Sequence, residues 1–193
     1  MATRAGLDRA SVVQAAADLA DREGLEGVSL VTLATRLGVR SPTLYHYVDG
    51  LPGLHRELAL LGTRELAQRI GHAVMGKAGD EAVIALAWAY RGFVNEHPGL
   101  YAATVQAADP ADSELAAIQS ELVEIVVRTL SAYHLAGDEA VHAVRILRSA
   151  VHGFATLESS GGFGLALDLD ESFRLMLQAL IAGLRRPTTD GKE

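Results

Sequence analysis

Apolar residues recur along nearly the whole chain at the spacing of one helix face, three or four positions apart. The first such pattern runs from about Asp8, a candidate N-cap, to Glu23, and Gly24 ends it. It places these residues on one face: Val12, Ala16, Leu19 and Ala20. We find no stretch that alternates apolar and polar residues as a strand does, and no internal repeat. The pattern therefore predicts an all-α fold of about nine helices.

Three short helices separated by tight turns are predicted at the N-terminus. Ser29 has the side chain of a helix N-cap, and Gly38 is the residue type that ends a helix in the left-handed conformation. Ser41 is a second good N-cap, and Pro42 follows it at a first helical position, where a missing N–H costs nothing. The third helix is predicted to end near Asp49.

The helices predicted after this point are longer, with one exception at residues 98–107. A fourth helix begins at Pro52, Asp138 and Asp170 cap the last two helices, and Pro187 ends the final one. The helices predicted after the fourth and before the final one span about residues 81–96, 98–107, 112–133 and 138–159. This change in helix length divides the chain into two predicted domains, 1–52 and 53–193.

Composition narrows the class of protein. Hydrophobic residues make up 49% of the 193 residues, which is enough for a packed core. The absence of cysteine excludes disulfides and thiolate metal sites. The longest purely apolar run, Ala82 to Tyr90, is far shorter than the ~20 residues of a membrane span, and the first twenty residues lack a signal-peptide core. We therefore expect a cytoplasmic protein without a membrane partner.

The charge is distributed unevenly. The formal net charge of −7 belongs entirely to residues 73–193, because residues 1–72 contain eight basic and eight acidic side chains. Between residues 28 and 48 there is no acid, only Arg36 and Arg40. This segment could lie against phosphate while the remainder of the chain is repelled by it. Chance clustering in a short window is the alternative.

A helix, a short turn with glycine and a second short polar helix form the helix-turn-helix pattern of DNA-binding proteins. Leu44 and Val48 would hold the third helix against the first two, so that its other side can enter a major groove ~12 Å wide. The residues expected to contact DNA are Ser29, Thr32, Arg40, Ser41, Pro42, Thr43, Tyr45, His46 and Tyr47. Three alternatives stay open: core packing for the tyrosines, a solvated turn for Arg40 and a purely structural cap for Ser29.

The segment "LATRLGVRSPTLYHYVDGLPGL" resembles the DNA-binding segment of the tetracycline-repressor (TetR/AcrR-like) family of bacterial transcription regulators. The matching positions are Leu33-Ala34, Gly38-Val39, Ser41, Thr43 to Tyr47 and Leu54. Further on, "AYRGFVNEHPGLY" and "SAVHGFATLE" resemble a branch of that family with a His-Gly pair, here His152-Gly153. The resemblance is strong over residues 8–58 and moderate afterwards. It implies a ligand-responsive regulator, usually a repressor, that binds a near-palindromic double-stranded DNA operator as a homodimer.

One position departs from the family pattern. The family usually has a lysine at the start of the fourth helix that clamps a phosphate, and Leu51 stands there in this chain. The missing contact could be supplied by Arg40, by Arg56 or by the Thr3-Arg4 arm. Each lost phosphate contact should flatten the salt dependence of binding by about one unit.

The resemblance also implies a cavity for a small, often apolar effector in the C-terminal domain. The side chains expected around it are Trp88, Tyr90, Phe93, Tyr101, Gln106, Arg145 and Phe154. Ordinary core packing of these aromatic residues is an equally good interpretation of the sequence, although the many alanines and glycines leave room for a pocket.

Two apolar stripes near the C-terminus have no obvious partner within the chain. The family arrangement implies an isologous four-helix bundle between two copies, built on Val144, Leu147, Val151, Phe173, Leu177, Leu180 and Leu184. Burial of the same stripes within one chain is the alternative.

Nothing in the sequence favours an enzyme or a bound cofactor. The histidines lack the spacing of metal ligands, and no Ser/His/Asp order, glycine-rich phosphate loop or carboxylate pair stands out. A helical binding protein with an inactive DNA-binding region remains the second hypothesis, which Leu51 and the acidic balance favour slightly.

Overall fold

The structure, a computed structural model of the chain, describes residues 7–185. Within this range the chain forms nine α-helices, two short 3₁₀ helices and no β-strand, which confirms the predicted fold class. The α-helices are α1 (Arg9–Glu23), α2 (Leu30–Leu37), α3 (Ser41–Leu44), α4 (Gly50–Val74), α5 (Gly79–Glu96), α6 (Pro98–Ala102), α7 (Ser113–Leu130), α8 (Asp138–Ser159) and α9 (Leu169–Leu184). The 3₁₀ helices are Leu25–Gly27 and Ser131–Tyr133.

Local side-chain chemistry sets the ends of the first two helices as predicted. The carboxylate of Asp8 accepts the N–H of Ser11, whose hydroxyl accepts the N–H of Asp8 in return. Ser29 and Thr32 form the same reciprocal cap at α2. Gly38 ends α2 with φ 67° and ψ 31°, the left-handed conformation that a glycine adopts without a steric cost.

Several predicted helix ends are corrected. The α-helix of α3 stops at Leu44 and turns follow, so Tyr45, His46 and Tyr47 lie in a turn rather than in a helix. Arg40 occupies the N-cap position of α3, which makes Ser41 its first residue and moves Pro42 to the second position. Helix α4 begins at Gly50, two residues before the predicted start, and α6 ends at Ala102, five residues before the predicted end.

The caps of the last two helices also differ from the prediction. Gly137 precedes α8 as its N-cap, and Asp138 is the first residue of that helix. Asp168 caps α9 by accepting the N–H of Asp170, so Asp170 belongs to the first turn. Both predicted aspartates therefore place negative charge near a helix N-terminus, where it is favourable, without serving as the cap. Pro187, Thr3 and Arg4 lie outside the described residues.

The chain divides into two compact units, the first comprising residues up to 66 together with 96–120. Its core contains the predicted face of α1, with Val12, Ala16, Leu19 and Ala20 all buried. Helix α1 also packs closely on α6, where a Cβ on Gly99 would lie 1.9 Å from the carbonyl oxygen of Ala20. The carboxylate of Asp21 contacts α6 as well, accepting the N–H of Leu100 at 2.8 Å and lying 2.9 Å from Nδ1 of His97.

The second unit comprises residues 67–95 and those from 121 onward. Helices α8 and α9 contact each other in it, and each buries one apolar face. The buried residues of these faces are Ala143, Leu147, Val151, Ala155, Phe173, Leu177 and Ile181. The 3₁₀ helix after α7 joins α5 through a 2.7 Å hydrogen bond from Tyr133 Oη to Asp80, which also pairs with Arg185.

This unit assignment is made on contacts and differs from the predicted domains 1–52 and 53–193. That boundary, which separates DNA binding from effector binding and dimerisation, stays a prediction. No helix among the described residues is long and apolar enough to span a membrane.

Candidate functional site

The segment from α2 to the turn after α3 is anchored by apolar side chains in the core of the first unit. Helix α2 contributes Leu33 and Ala34, and the following segment contributes Leu44 and Val48, all of which are buried. Leu44 and Val48 therefore have the role that the sequence predicts for them. Contact between α2 and α3 completes the helix-turn-helix arrangement.

The opposite side of this segment presents polar groups to solvent. Arg40, Pro42, Tyr45 and His46 are exposed, Tyr45 by 61%, while Ser41, Thr43 and Tyr47 are half-buried. The turn is held by backbone bonds, with the N–H of His46 3.3 Å from the carbonyl of Thr43 and the N–H of Tyr47 2.9 Å from that of Leu44. We define residues 38–49 as the recognition segment. Its exposed hydroxyl, imidazole and guanidinium groups could bond phosphate oxygens and base edges.

Arg40 is the cation of the recognition segment. Its side chain has no ion-pair or hydrogen-bond partner among residues 7–185, and the next acid along the chain is Asp49. An exposed guanidinium without a partner is available to phosphate or to guanine. The alternative, that Arg40 is only a solvated turn residue, predicts the same exposed side chain when no DNA is bound.

Ser29 and Thr32 are occupied at the start of α2. Ser29 Oγ accepts the N–H of Thr32 at 3.1 Å, and Thr32 Oγ1 accepts the N–H of Ser29 at 3.0 Å. Both hydroxyls therefore serve the helix cap, which is the structural interpretation left open for Ser29. Whether they also contact DNA stays a prediction.

Arg56 is not available as a substitute for the missing lysine. Its Nε and Nη2 donate to both oxygens of Asp112 at 2.5 and 2.8 Å, and Nη2 also donates to Glu114 at 2.9 Å. These bonds raise the pKa of Arg56 and hold the pKa values of Asp112 and Glu114 below their usual range. Arg56 therefore holds α4 to the start of α7, and the structure does not favour it as a phosphate clamp. Leu51 itself is half-buried.

A buried arginine connects three helices of the second unit. Arg91 on α5 is 5% exposed and donates from Nε and Nη2 to the two oxygens of Glu158 on α8, at 2.6 and 2.5 Å. Its Nη1 lies 2.8 Å from Asp170 of α9, as an ion pair without the alignment of a hydrogen bond. The bonds to Glu158 raise the pKa of Arg91 and lower the pKa of Glu158, which also accepts a bond from Asn95.

Three aromatic rings surround this guanidinium. The carbon Cζ of Arg91 lies 4.9 Å from the ring centres of Trp88 and Phe173 and 5.4 Å from that of Phe154. Trp88 meets Phe173 edge-on at 5.0 Å, and Phe154 also packs on Phe163. We call Arg91, its two carboxylates and these rings the Arg91 cluster. Sequence reasoning missed Arg91, although one charge inside the apolar segment "AVIALAWAYRGFV" was a usable signal.

The pKa of His152 lies below its ordinary value. Burial, with a smaller contribution from the charge of Arg148, lowers the pKa of His152, and its Nδ1 lies 3.4 Å from Thr156 Oγ1. Among residues 7–185 no group of three or more His, Cys, Asp or Glu side chains could hold a metal ion.

Comparison with known proteins assigns the family. A family model for the tetracyclin repressor-like C-terminal domain matches residues 83–180, just over half of the chain. YobS of Bacillus subtilis (strain 168), an uncharacterized HTH-type transcriptional regulator, is 35% identical over 185 residues, which cover 95% of this chain and 96% of the relative. The chain belongs to the TetR/AcrR-like family of transcriptional regulators.

Solved structures show the same fold. A protein of unknown function from Rhodococcus sp. RHA1 has a TM-score of 0.80 at 24% identity, and the match covers 95% of this chain and 98% of that one. TetR-Q116A from Acinetobacter baumannii AYE, solved in complex with minocycline, has a TM-score of 0.71 at 23% identity over 94% of this chain and 100% of that one. At these identities the likeness shows the fold alone. The His-Gly branch of the family stays a prediction.

Membership of the TetR family confirms the predicted class of function. The chain is an HTH-type transcriptional regulator and not an enzyme, because the proteins of this family regulate transcription. The helix-turn-helix of residues 30–44 is the part of the chain that this class of function uses to contact DNA.

The residues predicted for the effector cavity of a TetR protein are divided between the units. Tyr101 and Gln106 belong to the first unit, and the other five belong to the second. Tyr90, Phe93 and Tyr101 are buried, Arg145 and Gln106 are exposed, and Trp88 and Phe154 pack on Arg91. Trp88 and Phe154 therefore have a packing role in this conformation, and the cavity stays a prediction.

The residues predicted for the dimer interface are largely internal to one chain. Leu147, Val151, Phe173 and Leu177 are at most 2% exposed, so these four belong to the core of the second unit. Val144, Leu180 and Leu184 are half-buried. The exposed apolar side chains of the same two helices include Val141, Ile146 and Leu175, and the apolar periodicity did not point to Ile146 or Leu175. Periodicity identified the apolar face correctly but did not reveal what covers it.

Proposed function

We propose that this chain is a ligand-responsive repressor that binds a near-palindromic double-stranded DNA operator as a homodimer and leaves it when a small-molecule effector binds. The observation that carries the proposal is the recognition segment, which is exposed, nearly free of acids and anchored from beneath by buried Leu44 and Val48. The net charge of −7 lies entirely in residues 73–193, so the acid-poor segment is the part of the chain that phosphate repels least.

In the proposed complex Tyr45 and Tyr47 bond phosphate oxygens, and Arg40 contacts a phosphate or a guanine. Pro42, Thr43 and His46 lie toward the base edges, and Ser41 lies at the helix N-terminus near the backbone. Ser29 and Thr32 approach a phosphate with their helix end while their hydroxyls maintain the cap. The exposure of Tyr45, Arg40 and His46 supports these roles.

A dimer would set two recognition segments about one DNA turn apart, ~34 Å, as the symmetry of a near-palindromic operator requires. We place its interface on α8 and α9, with exposed Ile146 and Leu175 at its centre and the half-buried Val144, Leu180 and Leu184 beside them. Ile146→Glu should then give a monomer in sedimentation velocity. Val123→Glu, at an exposed valine of α7, is the matched control and should leave the dimer intact.

Effector binding is supported by the minocycline bound to a TetR structure of the same fold, and we place the effector site of this chain in the second unit. Of the residues predicted for the cavity, those in the second unit are Trp88, Tyr90, Phe93, Arg145 and Phe154. Helix α4 contributes residues to both units and is the proposed lever between effector and DNA. Converting a dimer from 99% to 1% competent requires about 5.5 kcal/mol of differential effector affinity.

The second candidate function is effector binding without DNA binding. It is favoured by Leu51, which stands where the family has its phosphate-clamping lysine, and by the commitment of Arg56 to Asp112 and Glu114. The two candidates differ in one measurable property, which is salt-dependent and sequence-selective affinity for a duplex.

Fluorescence anisotropy on duplex DNA from upstream of the chain's own gene tests the proposal. Arg40→Ala should reduce the magnitude of the slope of log K against log salt by about one unit. Tyr45→Phe should weaken binding by up to about tenfold through loss of one hydrogen bond. Arg174→Ala, at an exposed arginine of the second unit, is the control and should change neither. Equal affinity for operator and random DNA would favour the second candidate.

A further inference from the structure

Val31 is an exposed apolar residue of α2, the first helix of the helix-turn-helix. It lies in the first turn of α2 and is 67% exposed, more than Tyr45 of the recognition segment. Its carbonyl accepts the hydroxyl of Thr35 at 2.9 Å, so both residues lie on the same open flank of the helix. An isolated exposed valine is common on protein surfaces, and the surroundings decide whether it has a use.

The orientation of α2 separates this flank from α1. Arg36 extends toward α1, with its Nη2 3.7 Å from Asp18. Val31 precedes Arg36 by five residues, which at 3.6 residues per turn places it about 140° around the helix. Val31 therefore lies on the side of α2 that α1 does not cover. No acid occurs from residue 28 to residue 48, so this segment itself contributes no carboxylate that would repel a phosphate backbone.

The hydrogen-bonding groups of this surface are few. Direct reading of purines relies on Arg or Lys for guanine and on Asn or Gln for adenine. Residues 28–48 contain no Lys, Asn or Gln, and Arg36 is directed toward Asp18. Arg40 is therefore the single side chain of this segment suited to bidentate base recognition. Any other base recognition by this segment has to use hydroxyl groups, His46 or apolar contacts.

We infer that Val31 reads the operator by packing its methyl groups on the 5-methyl of one thymine per half-site. The inference rests on the proposed function and adds to it a specificity-determining residue and the chemistry it recognises. The thymine methyl is the apolar group displayed in the major groove, and an exposed valine in an acid-free segment matches it. Neither group loses a hydrogen bond when water leaves the contact.

The expected effect is modest and measurable. Burial of one methyl-sized group corresponds to ~0.8 kcal/mol, or about a fourfold change in affinity. Deoxyuridine differs from thymidine by that methyl alone, and Val31→Ala removes the opposing methyls from the protein. Alanine is also the best helix former, so the variant should fold. If the two methyl-bearing groups touch, deoxyuridine should weaken binding of the wild type but not of Val31→Ala, and Val31→Ala should weaken binding to thymidine but not to deoxyuridine.

The experiment begins with the full chain and a random-sequence duplex library, from which tight binders are selected. Each thymine of the selected duplex is then replaced singly by deoxyuridine, and binding is measured by anisotropy. For the wild type, one position per half-site should lose about fourfold in affinity, whereas Val31→Ala should respond there by less than about 1.5-fold. Val123→Ala, at an exposed valine of α7, should behave as the wild type does.

Two outcomes would overturn the inference, and they are distinguishable. If selective binding is tight and Val31→Ala keeps every deoxyuridine penalty of the wild type, Val31 reads no methyl group, and the proposed function stands. If the wild type enriches no duplex and binds none with a salt dependence, the proposed function fails and takes this inference with it.

Discussion

In the first unit a glycine allows two backbones to touch, whereas in the second unit a buried arginine joins three helices through its side chain. Gly99 brings α6 against α1 without any side chain between them. Arg91 ties α5 to Glu158 of α8 and Asp170 of α9. The second unit thus uses a charged side chain as a structural element, while the first keeps Arg40 unpartnered within residues 7–185 and at the surface. The comparison shows one residue type packed inside one region and left available at the surface of the other.

The Arg91 cluster should give the largest effect when it is broken. Arg91→Met removes the partner of Glu158, whose side chain is 16% exposed, and leaves a carboxylate with little access to water. Loss of one partner from a buried ion pair costs about 3 kcal/mol or more. We expect a decrease of that size in the free energy of unfolding, measured by urea denaturation above pH 6.

An exposed pair on α9 provides the control for this variant. Arg174 bonds Glu171 within the same helix, and both side chains are about half exposed. Arg174→Met should cost less than about 1 kcal/mol because surface pairs contribute little. Equal losses for the two methionine variants would contradict a special role for the buried arginine.

The backbone contact of the first unit should give the second largest effect. A methyl group at position 99 would lie 1.9 Å from the carbonyl oxygen of Ala20, so Gly99→Ala must force α1 and α6 apart. We expect a loss of about 2 kcal/mol in the free energy of unfolding. Gly153→Ala is the matched control, because nothing lies within 4 Å of its added Cβ. That variant should be neutral or stabilising by about 0.5–1 kcal/mol.

What the sequence could predict was local. Asp8 and Ser29 cap the starts of their helices and Gly38 caps the end of α2, as expected. Such caps could be predicted because each depends on residues within four positions of one another. The Arg91 cluster could not be predicted in this way, since Arg91 and Glu158 are 67 positions apart. Resemblance to known regulators supplied the family, which physical reasoning from the helix pattern alone would have left among several helical classes.

The cap of α2 allows a finer comparison between structural and recognition roles. Ser29→Ala removes the acceptor of the Thr32 N–H and should cost about 1 kcal/mol of stability. Ser120→Ala removes a hydroxyl that bonds only its own helix, at Ala116, and should change stability little. Thermal unfolding measures the cap, and anisotropy on the operator at a temperature where both variants are folded measures any phosphate contact. A DNA defect without a stability defect would contradict the cap as the main role of Ser29.

His152 should give the smallest effect, visible only as a dependence on pH. Because burial lowers its pKa below 6.5 in the folded state, the unfolded chain takes up the proton first as the pH falls. This contribution to stability is complete above pH 6.5 and is lost below it. His152→Gln should therefore lose less stability than the wild type between pH 8 and pH 5.5, as measured by urea denaturation. Parallel pH curves would show that His152 is not the group responsible.

The end of α3 and the coverage of the α8 and α9 stripes show two further limits of sequence reasoning. Tyr45 to Tyr47 have no residue that forbids a helix, so propensity did not distinguish a helix from the turn that the structure contains. Apolar periodicity located Leu147 and Phe173 on inward faces, but a stripe buried by its own chain and one buried by a partner have the same pattern. Both distinctions depend on tertiary contacts.

The meeting of Gly99 with Ala20 makes an unusually stiff joint. Side chains at a helix crossing can change rotamer and absorb small displacements, but here main chain bears directly on main chain. The Gly99–Ala20 contact contains no side chain that could rearrange. The hydrogen bond from the Leu100 N–H to Asp21 also restricts the rotation of α6 against α1. A displacement of α6 toward α1 would therefore move α1, which in turn packs on α2 of the helix-turn-helix.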